Sequence, residues 1–293
     1  MSLKRRFVDS HFHIWNASCH PDWYDFPAHD TEIGRQMGWR KALPNVWTLD
    51  DHREALNGVE LAKAVHVTAV GLPVWAVSET MWLDEMASGK FGVATIGTVD
   101  LDTTLGDIAQ QLDTCMAIGT FRGIRVVQPI DYTRERGMGV LRLLAERNLV
   151  YNAVSYLDGG IMSITRAATC LPTLKIVLEH TGWPHDRNKD PANYREWKSE
   201  IREFAALDTS FIKLSGLGMA YHATSVHEFL PHFEYCLSEF GPARCMFGSN
   251  FPVDAMYGTF SELYDVFEAA AAPLSSHEQA DVFGLTAERV YRL

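Results

Sequence analysis

Eight short runs of apolar, β-branched-rich residues recur along the sequence, and their spacing constrains the fold more than any other feature. They are Phe7–Phe12, Ala62–Thr68, Val93–Val99, Phe121–Val127, Leu149–Ser155, Leu174–Glu179, Phe211–Ser215 and Arg244–Gly248. Runs that are apolar at nearly every position are typical of strands buried on both faces, as in parallel sheets.

Segments with helical periodicity separate these runs. In residues 104–117, one stripe carries Leu105, Ile108, Leu112 and Met116. Similar patterns predict helices over Arg136–Arg147, Gly160–Cys170, Asn193–Leu207, Ser225–Phe240 and Ser261–Ala271. Eight strand–helix alternations without a Pro/Gly/Ser-rich linker favour an α/β fold, a single (β/α)8 TIM barrel forming one domain over residues 1–293. The alternative is an open doubly wound sheet, but no G-x-G-x-x-G or P-loop follows the first run.

The connection after the first run is unusually long and rich in aromatic residues. Residues 14–47 contain Trp15, Trp23, Tyr24, Phe26, Trp39 and Trp47. Loops of this length are usually functional or disordered. The aromatic density favours an ordered lid or pocket wall, and a lid that packs only on the barrel rim is the alternative.

The composition excludes several classes of function. A net charge of −11 argues against a nucleic-acid partner. No stretch has the ~18 apolar residues of a membrane span. Five scattered cysteines without a C-x-x-C motif predict reduced thiols in a cytoplasmic protein. The expected partner is a small-molecule substrate, and a homo-oligomer stays open.

Three histidines stand where a barrel would carry its site. His11 and His13 lie at the end of the first run, and side chains two residues apart on a strand point to the same side. Both would reach the C-terminal mouth of a barrel, where such enzymes keep their sites. His180 directly follows the sixth run and could reach the same point. For His11 and His13 the alternative is a chance pair among the twelve histidines of the chain, and for His180 it is an imidazole satisfied by backbone groups at the rim.

Asn250 and Asp254 follow the eighth run, which a closed barrel places beside the first. An amide oxygen can coordinate a cation or orient a substrate, but it cannot serve as a general base. Asp254 could fold back and take that role. Alternatively, Asn250 caps the next turn and Asp254 is solvated.

Arg125 places a charge inside the apolar fourth run. A buried guanidinium needs an anionic or strongly polar partner. That partner is either a substrate oxygen or an internal carboxylate such as Asp100 or Glu179. Lys213, in the seventh run, raises the same question. Trp15, which opens the aromatic connection, is a further candidate for contact with the substrate.

Taken in order, the motifs resemble the metal-dependent-hydrolase branch of the amidohydrolase superfamily, which contains sugar lactonases and 2-pyrone-4,6-dicarboxylate lactonase. VDSHFHIW resembles the family's opening D-x-H-x-H-x-W, and FRGIRVVQ resembles its G-I-R strand. LPTLKIVLEHTGWP is similar to the P-x-L-x-x-V-x-D-H-x-G-x-P strand. FIKLSGL and FGPARCMFGSNFPVD extend the likeness almost to the last residue.

The resemblance implies a (β/α)8 barrel in which His11, His13 and His180 bind a metal or contact the substrate. At most one divalent ion is expected, zinc being the ion that such a set favours, and a metal-free reaction is compatible with this branch. Many relatives carry an Asp, the base that activates water, where this chain has Asn250. An Asp is also usual at the position of Glu179.

The leading hypothesis is hydrolysis of a small, sugar-derived lactone by attack of water at the barrel mouth. The candidate catalytic residues are His180, Asn250 and Asp254, and Trp15 and Arg125 are the candidates for substrate binding. Two alternatives stay open: a metal-dependent decarboxylase of an unsaturated or aromatic acid, and a non-catalytic barrel that binds a small molecule.

Overall fold

Eight strands form one sheet, and they follow one another in chain order with every neighbouring pair parallel. The computed structural model describes residues 6–26, 28, 30–36, 38–39, 41–87, 91–184 and 190–293. The strands are β1 (Phe7–Phe12), β2 (Leu61–Val67), β3 (Gly92–Gly97), β4 (Phe121–Arg125), β5 (Val150–Ala153), β6 (Ile176–Leu178), β7 (Ser210–Leu214) and β8 (Cys245–Phe247). The predicted (β/α)8 barrel is confirmed.

The barrel closes where the chain beyond β8 meets the end of β1. Phe251 forms an isolated parallel bridge with Phe12, and its carbonyl accepts a hydrogen bond of 2.8 Å from the amide of His13. The amide of Asn250 donates to the carbonyl of His11 at 2.7 Å. Asn250 therefore lies beside the histidines of β1, as the order of the strands predicts.

Asp9 anchors this seam from inside β1. One carboxylate oxygen accepts from the amide of Ser249 at 2.8 Å and from the amide of His11 at 3.2 Å. The other oxygen lies 3.0 Å from Nε2 of His52. Asp9 and His52 are both fully buried, so this carboxylate ties β1, the end of β8 and the helix of His52 together without help from solvent.

The helices surround the sheet: α1 (Glu32–Gln36), α2 (Leu49–Ala55), α3 (Ala76–Ala87), α4 (Leu105–Met116), α5 (Glu135–Glu146), α6 (Ile161–Thr169), α7 (Pro191–Ala205), α8 (Leu217–Tyr221), α9 (Val226–Phe240), α10 (Phe260–Ala271), α11 (Ser276–Ala280) and α12 (Thr286–Tyr291). A π-helical turn, Asp281–Leu285, joins the last two. Thr48, Thr104 and Thr259 start their helices with capping boxes. None of the helices among the described residues is long and apolar enough to cross a membrane.

Two layers of apolar side chains hold the barrel. The larger lies between the sheet and the outer helices. The smaller fills the barrel interior, where Val8, Val65 and Ile96 pack with Val290 and Tyr291 of α12. Helix α12 therefore seals the end of the barrel opposite the mouth, since Val8, Ala62 and Phe211, near the starts of their strands, belong to the same apolar cluster.

The long aromatic connection is ordered in its described parts. Trp15–Asn16 pairs with Val46–Trp47 as a two-stranded antiparallel ribbon, and Nε1 of Trp15 donates to the carbonyl of Pro44 at 2.7 Å. The ring centroids of Trp15 and Phe26 are 4.4 Å apart. These contacts hold the connection over the barrel mouth.

Candidate active site

His11 and His13 meet at the end of β1, as the two-residue period of a strand predicts. Their ring centroids are 5.0 Å apart, and both side chains are buried. Gly248 leaves room for this arrangement, because a Cβ there would lie 2.8 Å from the Cβ of His11. The barrel seam therefore fits tightly around the first histidine.

His180 reaches the same point from the end of β6. Its ring centroid is 4.5 Å from that of His11. The backbone is left-handed at His180, Thr181, Gly182 and Trp183, with φ between 52° and 73°. This sharp turn carries the chain away from the barrel axis while the imidazole stays in the mouth, where Oγ of Ser215 lies 3.0 Å from its Nδ1.

Gly216 makes space for that imidazole, and its replacement by alanine should displace it. A Cβ at Gly216 would lie 2.1 Å from Nδ1 of His180. We expect Gly216→Ala to lower kcat/KM by about a hundredfold, the scale on which a misplacement of 1 Å acts. Gly58→Ala is the control, because Gly58 also has a positive φ, +81°, but a Cβ there would meet no atom within 4 Å. Equal losses of activity in the two variants would show that backbone strain, not His180, is responsible.

In each of the three imidazoles, Nδ1 lies close to a polar group of the protein, which for His180 is Oγ of Ser215. Nδ1 of His13 lies 2.7 Å from the carbonyl of Val67 and must donate, because a carbonyl only accepts. Nδ1 of His11 lies 3.5 Å from Oε1 of Glu179. Nε2 of His11 is buried and has no hydrogen-bond partner within the described part of the chain. Partners on Nδ1 that leave Nε2 free are typical of histidines that bind a metal.

Asn250 faces His13 with its oxygen. The amide nitrogen donates to Oδ1 of Asp254 at 2.9 Å, which turns Oδ1 of Asn250 toward Nε2 of His13 at 3.4 Å. Neutral His13 protonated on Nδ1 has a lone pair on Nε2, so two acceptors confront each other. A cation, or a molecule that donates hydrogen bonds to both atoms, would satisfy them.

Asp254 lies behind Asn250 and does not line the cavity described below. Burial raises the pKa of Asp254 to about 7, although the hydrogen bond from Asn250 acts in the opposite direction. Its direct contact with the site is the amide of Asn250. The role of Asp254 as a base stays a prediction, and orienting Asn250 is the role that its contacts support.

Glu179 stands at the centre of a buried charge cluster. Its Oε2 lies 3.3 Å from Nη1 of Arg125, and its Oε1 lies 3.6 Å from Nζ of Lys213. Asn152 donates to Oε1 at 2.9 Å. Burial alone would raise the pKa of Glu179, but the charges of Arg125 and Lys213 outweigh it, so the pKa is lowered. Of the partners predicted for Arg125, Glu179 is the one observed.

The histidines are neutral at pH 7. Burial lowers the pKa of His180 to about 4, against the opposing effect of Glu179. Burial, followed by the charge of Lys213, lowers the pKa of His11 well below its ordinary value. For His13, burial and then the charge of Arg125 lower the pKa in the same way. Neutral imidazoles can accept a proton or bind a metal.

The same residues can hold a divalent ion. Ligand atoms of His11, Glu179 and His180 lie within 4.8 Å of one another, and all three residues are buried. His13 is outside this tightest grouping, yet its Nε2 and Oδ1 of Asn250 point into the same mouth. Imidazole nitrogens with a carboxylate or amide oxygen suit zinc, so the donor set fits a mononuclear site. The ligand set His11, His13 and His180 stays a prediction.

A cavity of about 170 Å³ opens above the histidines. It is lined by His13, Trp15, Phe26, Arg125, His180 and Asn250, together with Ala69, Tyr156, Met219 and Val253. Trp15 and Phe26 form an apolar wall, and the side chain of Arg125 is 17% exposed, which lets it reach a bound molecule. The aromatic connection is therefore a pocket wall and not only a cover on the rim.

Sequence patterns missed part of this cavity. Tyr156 and Met219 line it, and they lie three residues after β5 and five after β7, where barrel topology alone places loop residues at the mouth. Glu79 was also missed, because it lies on α3, whose apolar residues form no single stripe. Its carboxylate accepts from Oγ1 of Thr68 and the amide of Ala69, and the carbonyl of Thr68 accepts from Arg125 at 2.6 Å. Glu79 thus supports the arginine indirectly.

The chain is similar in sequence and in fold to known amidohydrolases. The amidohydrolase family model matches residues 8–293. An L-fucono-1,5-lactonase of Burkholderia multivorans is 35% identical over 98% of this chain and 96% of its own length. Crystal structures of an amidohydrolase from Burkholderia multivorans, with bound HEPES and with bound zinc, superpose with TM-scores of 0.80 and 0.78. Each is 24% identical and covers 99% of this chain and 100% of the other, so this likeness concerns the fold.

Proposed function

The chain belongs to the amidohydrolase family and is an enzyme, and from this premise we propose that it hydrolyses a small, sugar-derived lactone. One observation carries the proposal: Nε2 of His13 and Oδ1 of Asn250 confront each other as acceptors at 3.4 Å, on the wall of the cavity. A water molecule that donates one hydrogen to each atom would be oriented there. The lactonase name of the relative that is 35% identical supports the same reaction.

The reaction follows from this orientation of water. With both hydrogens engaged, the water oxygen has a lone pair free for attack on the lactone carbonyl carbon. As the C–O bond forms, one proton passes to Nε2 of His13, which is neutral because of its lowered pKa. The tetrahedral intermediate collapses when the bond between the carbonyl carbon and the ring oxygen breaks. The ring oxygen takes the proton back from His13, and a hydroxy acid results.

Arg125 and Asn250 position the partners of this reaction. The guanidinium of Arg125 lines the cavity and can hold substrate oxygens, while its contacts with Glu179 and Thr68 fix its orientation. Asn250 cannot accept a proton, but it directs water through Oδ1. This assignment makes His13 the base and Asp254 the residue that orients the amide.

A divalent ion fits the proposal without being required for its proton transfers. Zinc is the ion that the donor set favours, and His11, Glu179 and His180 would hold it while Nε2 of His13 stays free as the base. The ligand set predicted from the sequence, with His13 in it, would instead remove this base from the proton transfer. When bound, it would supply Lewis acidity toward the carbonyl oxygen. Arg125 and Asn250 would still orient the substrate and the attacking water.

A screen of lactones tests the proposed function. Purified protein, freed of metal and then assayed with and without added Zn²⁺, is mixed with aldonolactones and pyrone carboxylates in a weakly buffered pH indicator. We expect acid release from at least one aldonolactone. Release of carbon dioxide from an unsaturated or aromatic acid, without opening of any lactone, would favour a decarboxylase. Binding without turnover of any of these compounds would favour a non-catalytic barrel.

Asn250→Asp is expected to lower kcat/KM at pH 7 at least tenfold. The substitution removes the amide that donates to Asp254 and places a second carboxylate beside it. The pKa of Asp254 is already raised to about 7 by burial. Two carboxylates in contact retain a proton between them, as in other paired sites. The pair keeps one negative charge beside Nε2 of His13, which raises the pKa of that imidazole, so the increase of kcat/KM with pH should move to higher pH.

The double variant Asn250→Asp/Asp254→Asn is the matched control. It restores one amide donor and one carboxylate acceptor, exchanged between positions 250 and 254, so the hydrogen bond of 2.9 Å can form again. We expect the double variant to recover most of the lost activity. If it is as impaired as the single variant, the amide of Asn250 itself is needed in the cavity.

A further inference from the structure

Lys213 is a fully buried cation beside the histidine site. It lies in β7, with Nζ 3.4 Å from Nδ1 of His11 and 3.6 Å from Oε1 of Glu179. On its other side Nζ stands 5.4 Å from the ring centroid of Tyr291. Its side chain does not line the cavity, so it does not contact a bound substrate.

The charge around Glu179 is unbalanced before any ion binds. One carboxylate faces two cations, Arg125 at 3.3 Å and Lys213 at 3.6 Å. Glu179 belongs to the group that could hold a divalent ion, together with His11 and His180, and both cations contact it. A buried positive charge repels a second one strongly because the low dielectric of the interior screens little. Lys213 therefore opposes binding of a metal to the same cluster.

Lys213 also competes with Glu179 for Nδ1 of His11. An ammonium group only donates, so its approach to Nδ1 requires a lone pair there and favours the tautomer with hydrogen on Nε2. In that tautomer Nε2 has no lone pair for a metal. A carboxylate only accepts, so Glu179, 3.5 Å from the same atom, favours the tautomer with a free Nε2. The two neighbours of His11 thus act in opposite directions.

We propose that Lys213 is a positioning residue that holds the affinity of the histidine cluster for a divalent metal ion low, and that Glu179 raises that affinity. The proposal shares with the proposed function only the location of the site. It predicts that the site exchanges its ion readily and retains an intrinsic cation when none is bound. In the metal-free protein, the charge of Lys213 then helps to orient the imidazoles.

Zinc affinity measured by competition tests this proposal without a substrate. Metal-free protein at pH 7 is titrated with Zn²⁺ in the presence of a chromophoric chelator, for the wild type and for Lys213→Met. Methionine keeps a similar length without charge. We expect Lys213→Met to bind zinc about tenfold to a hundredfold more tightly, the range in which outer neighbours of ligands act. Glu179→Gln is expected to bind zinc more weakly than the wild type.

Lys63→Met is the control for net charge. Lys63 lies in β2 with Nζ 2.9 Å from the carbonyl of Leu293, and it belongs to neither the cavity nor the cluster. Its zinc affinity should equal that of the wild type. If Lys213→Met does not fold, Lys213→Gln takes its place, because an amide can still donate to Glu179.

Unchanged or weaker zinc binding in the folded Lys213 variant would overturn the proposal, as would an equal gain in Lys63→Met. These outcomes are independent of the lactone screen. A protein that opens lactones but binds zinc no better after the substitution contradicts the role of Lys213 alone. A protein whose zinc affinity rises but which opens no lactone contradicts the proposed function alone.

Discussion

Replacing His13 by asparagine is expected to lower kcat/KM for lactone opening by about 10³-fold, the middle of the range for loss of a general base. The amide nitrogen of asparagine can stand where Nδ1 does and still donate to the carbonyl of Val67, now 2.7 Å away. Nothing replaces Nε2, so the acceptor that faces Asn250 is lost. The measurement is the initial rate of acid release over a range of lactone concentrations.

His66→Gln is the matched control for this variant. The ring centroid of His66 is 6.2 Å from that of His13, and both side chains are buried. Nε2 of His66 lies 3.2 Å from the carbonyl of Ile14, a contact that glutamine can reproduce, and His66 does not line the cavity. We expect kcat/KM within about threefold of the wild type. A loss as large as that of His13→Asn would show that replacing any buried histidine near the mouth lowers activity, whether or not Nε2 of His13 is removed.

Replacing Asp9 by alanine is expected to reduce the free energy of unfolding by about 4 kcal/mol, as for other buried ionic groups that lose a partner. The substitution leaves the amides of His11 and Ser249 without an acceptor at the seam, and Nε2 of His52 without its partner at 3.0 Å. Unfolding in urea, followed by circular dichroism, measures the change.

Asp9→Asn separates the contacts of Asp9 with the backbone amides from its contact with His52. The amide oxygen can still accept from both backbone amides, and its nitrogen can face Nε2 of His52, whose other nitrogen has no partner within the described residues. We expect roughly half of the loss seen with alanine. Asp113→Ala, which removes an exposed partner of Arg147, should change the urea midpoint little. A similar midpoint for Asp9→Ala would contradict the role of Asp9.

The barrel could be predicted because its strands are buried on both faces. The first run, Phe7–Phe12, coincides with β1, and the other runs match a strand with small differences at their ends. Several runs extend beyond the strand toward the mouth, as Val93–Val99 does against β3, since the chain stays buried after strand pairing stops. The family resemblance drawn from the motifs is confirmed by the match over residues 8–293.

The site was only partly predictable. A period of two places His11 and His13 together, and closure of the barrel brings Asn250 to them. The contacts of Glu179 depend on how far Arg125 and Lys213 extend across three strands, which no local pattern determines. The position of Asp254 behind Asn250 likewise depends on a left-handed residue, Asn250 itself, with φ of 56°. Local patterns in the sequence do not specify such a conformation at an Asn.

Helix α12 has a consequence for the order in which the protein can be built. Val290 and Tyr291 pack against side chains of the earliest strands, and the hydroxyl of Tyr291 donates to Asn152 at 3.0 Å. Asn152 in turn holds Glu179. During synthesis, the first strands emerge from the ribosome long before this helix does, so the barrel floor stays open until residue 291 has left the exit tunnel. The polar cluster under the histidines is therefore completed only after Tyr291 has reached Asn152.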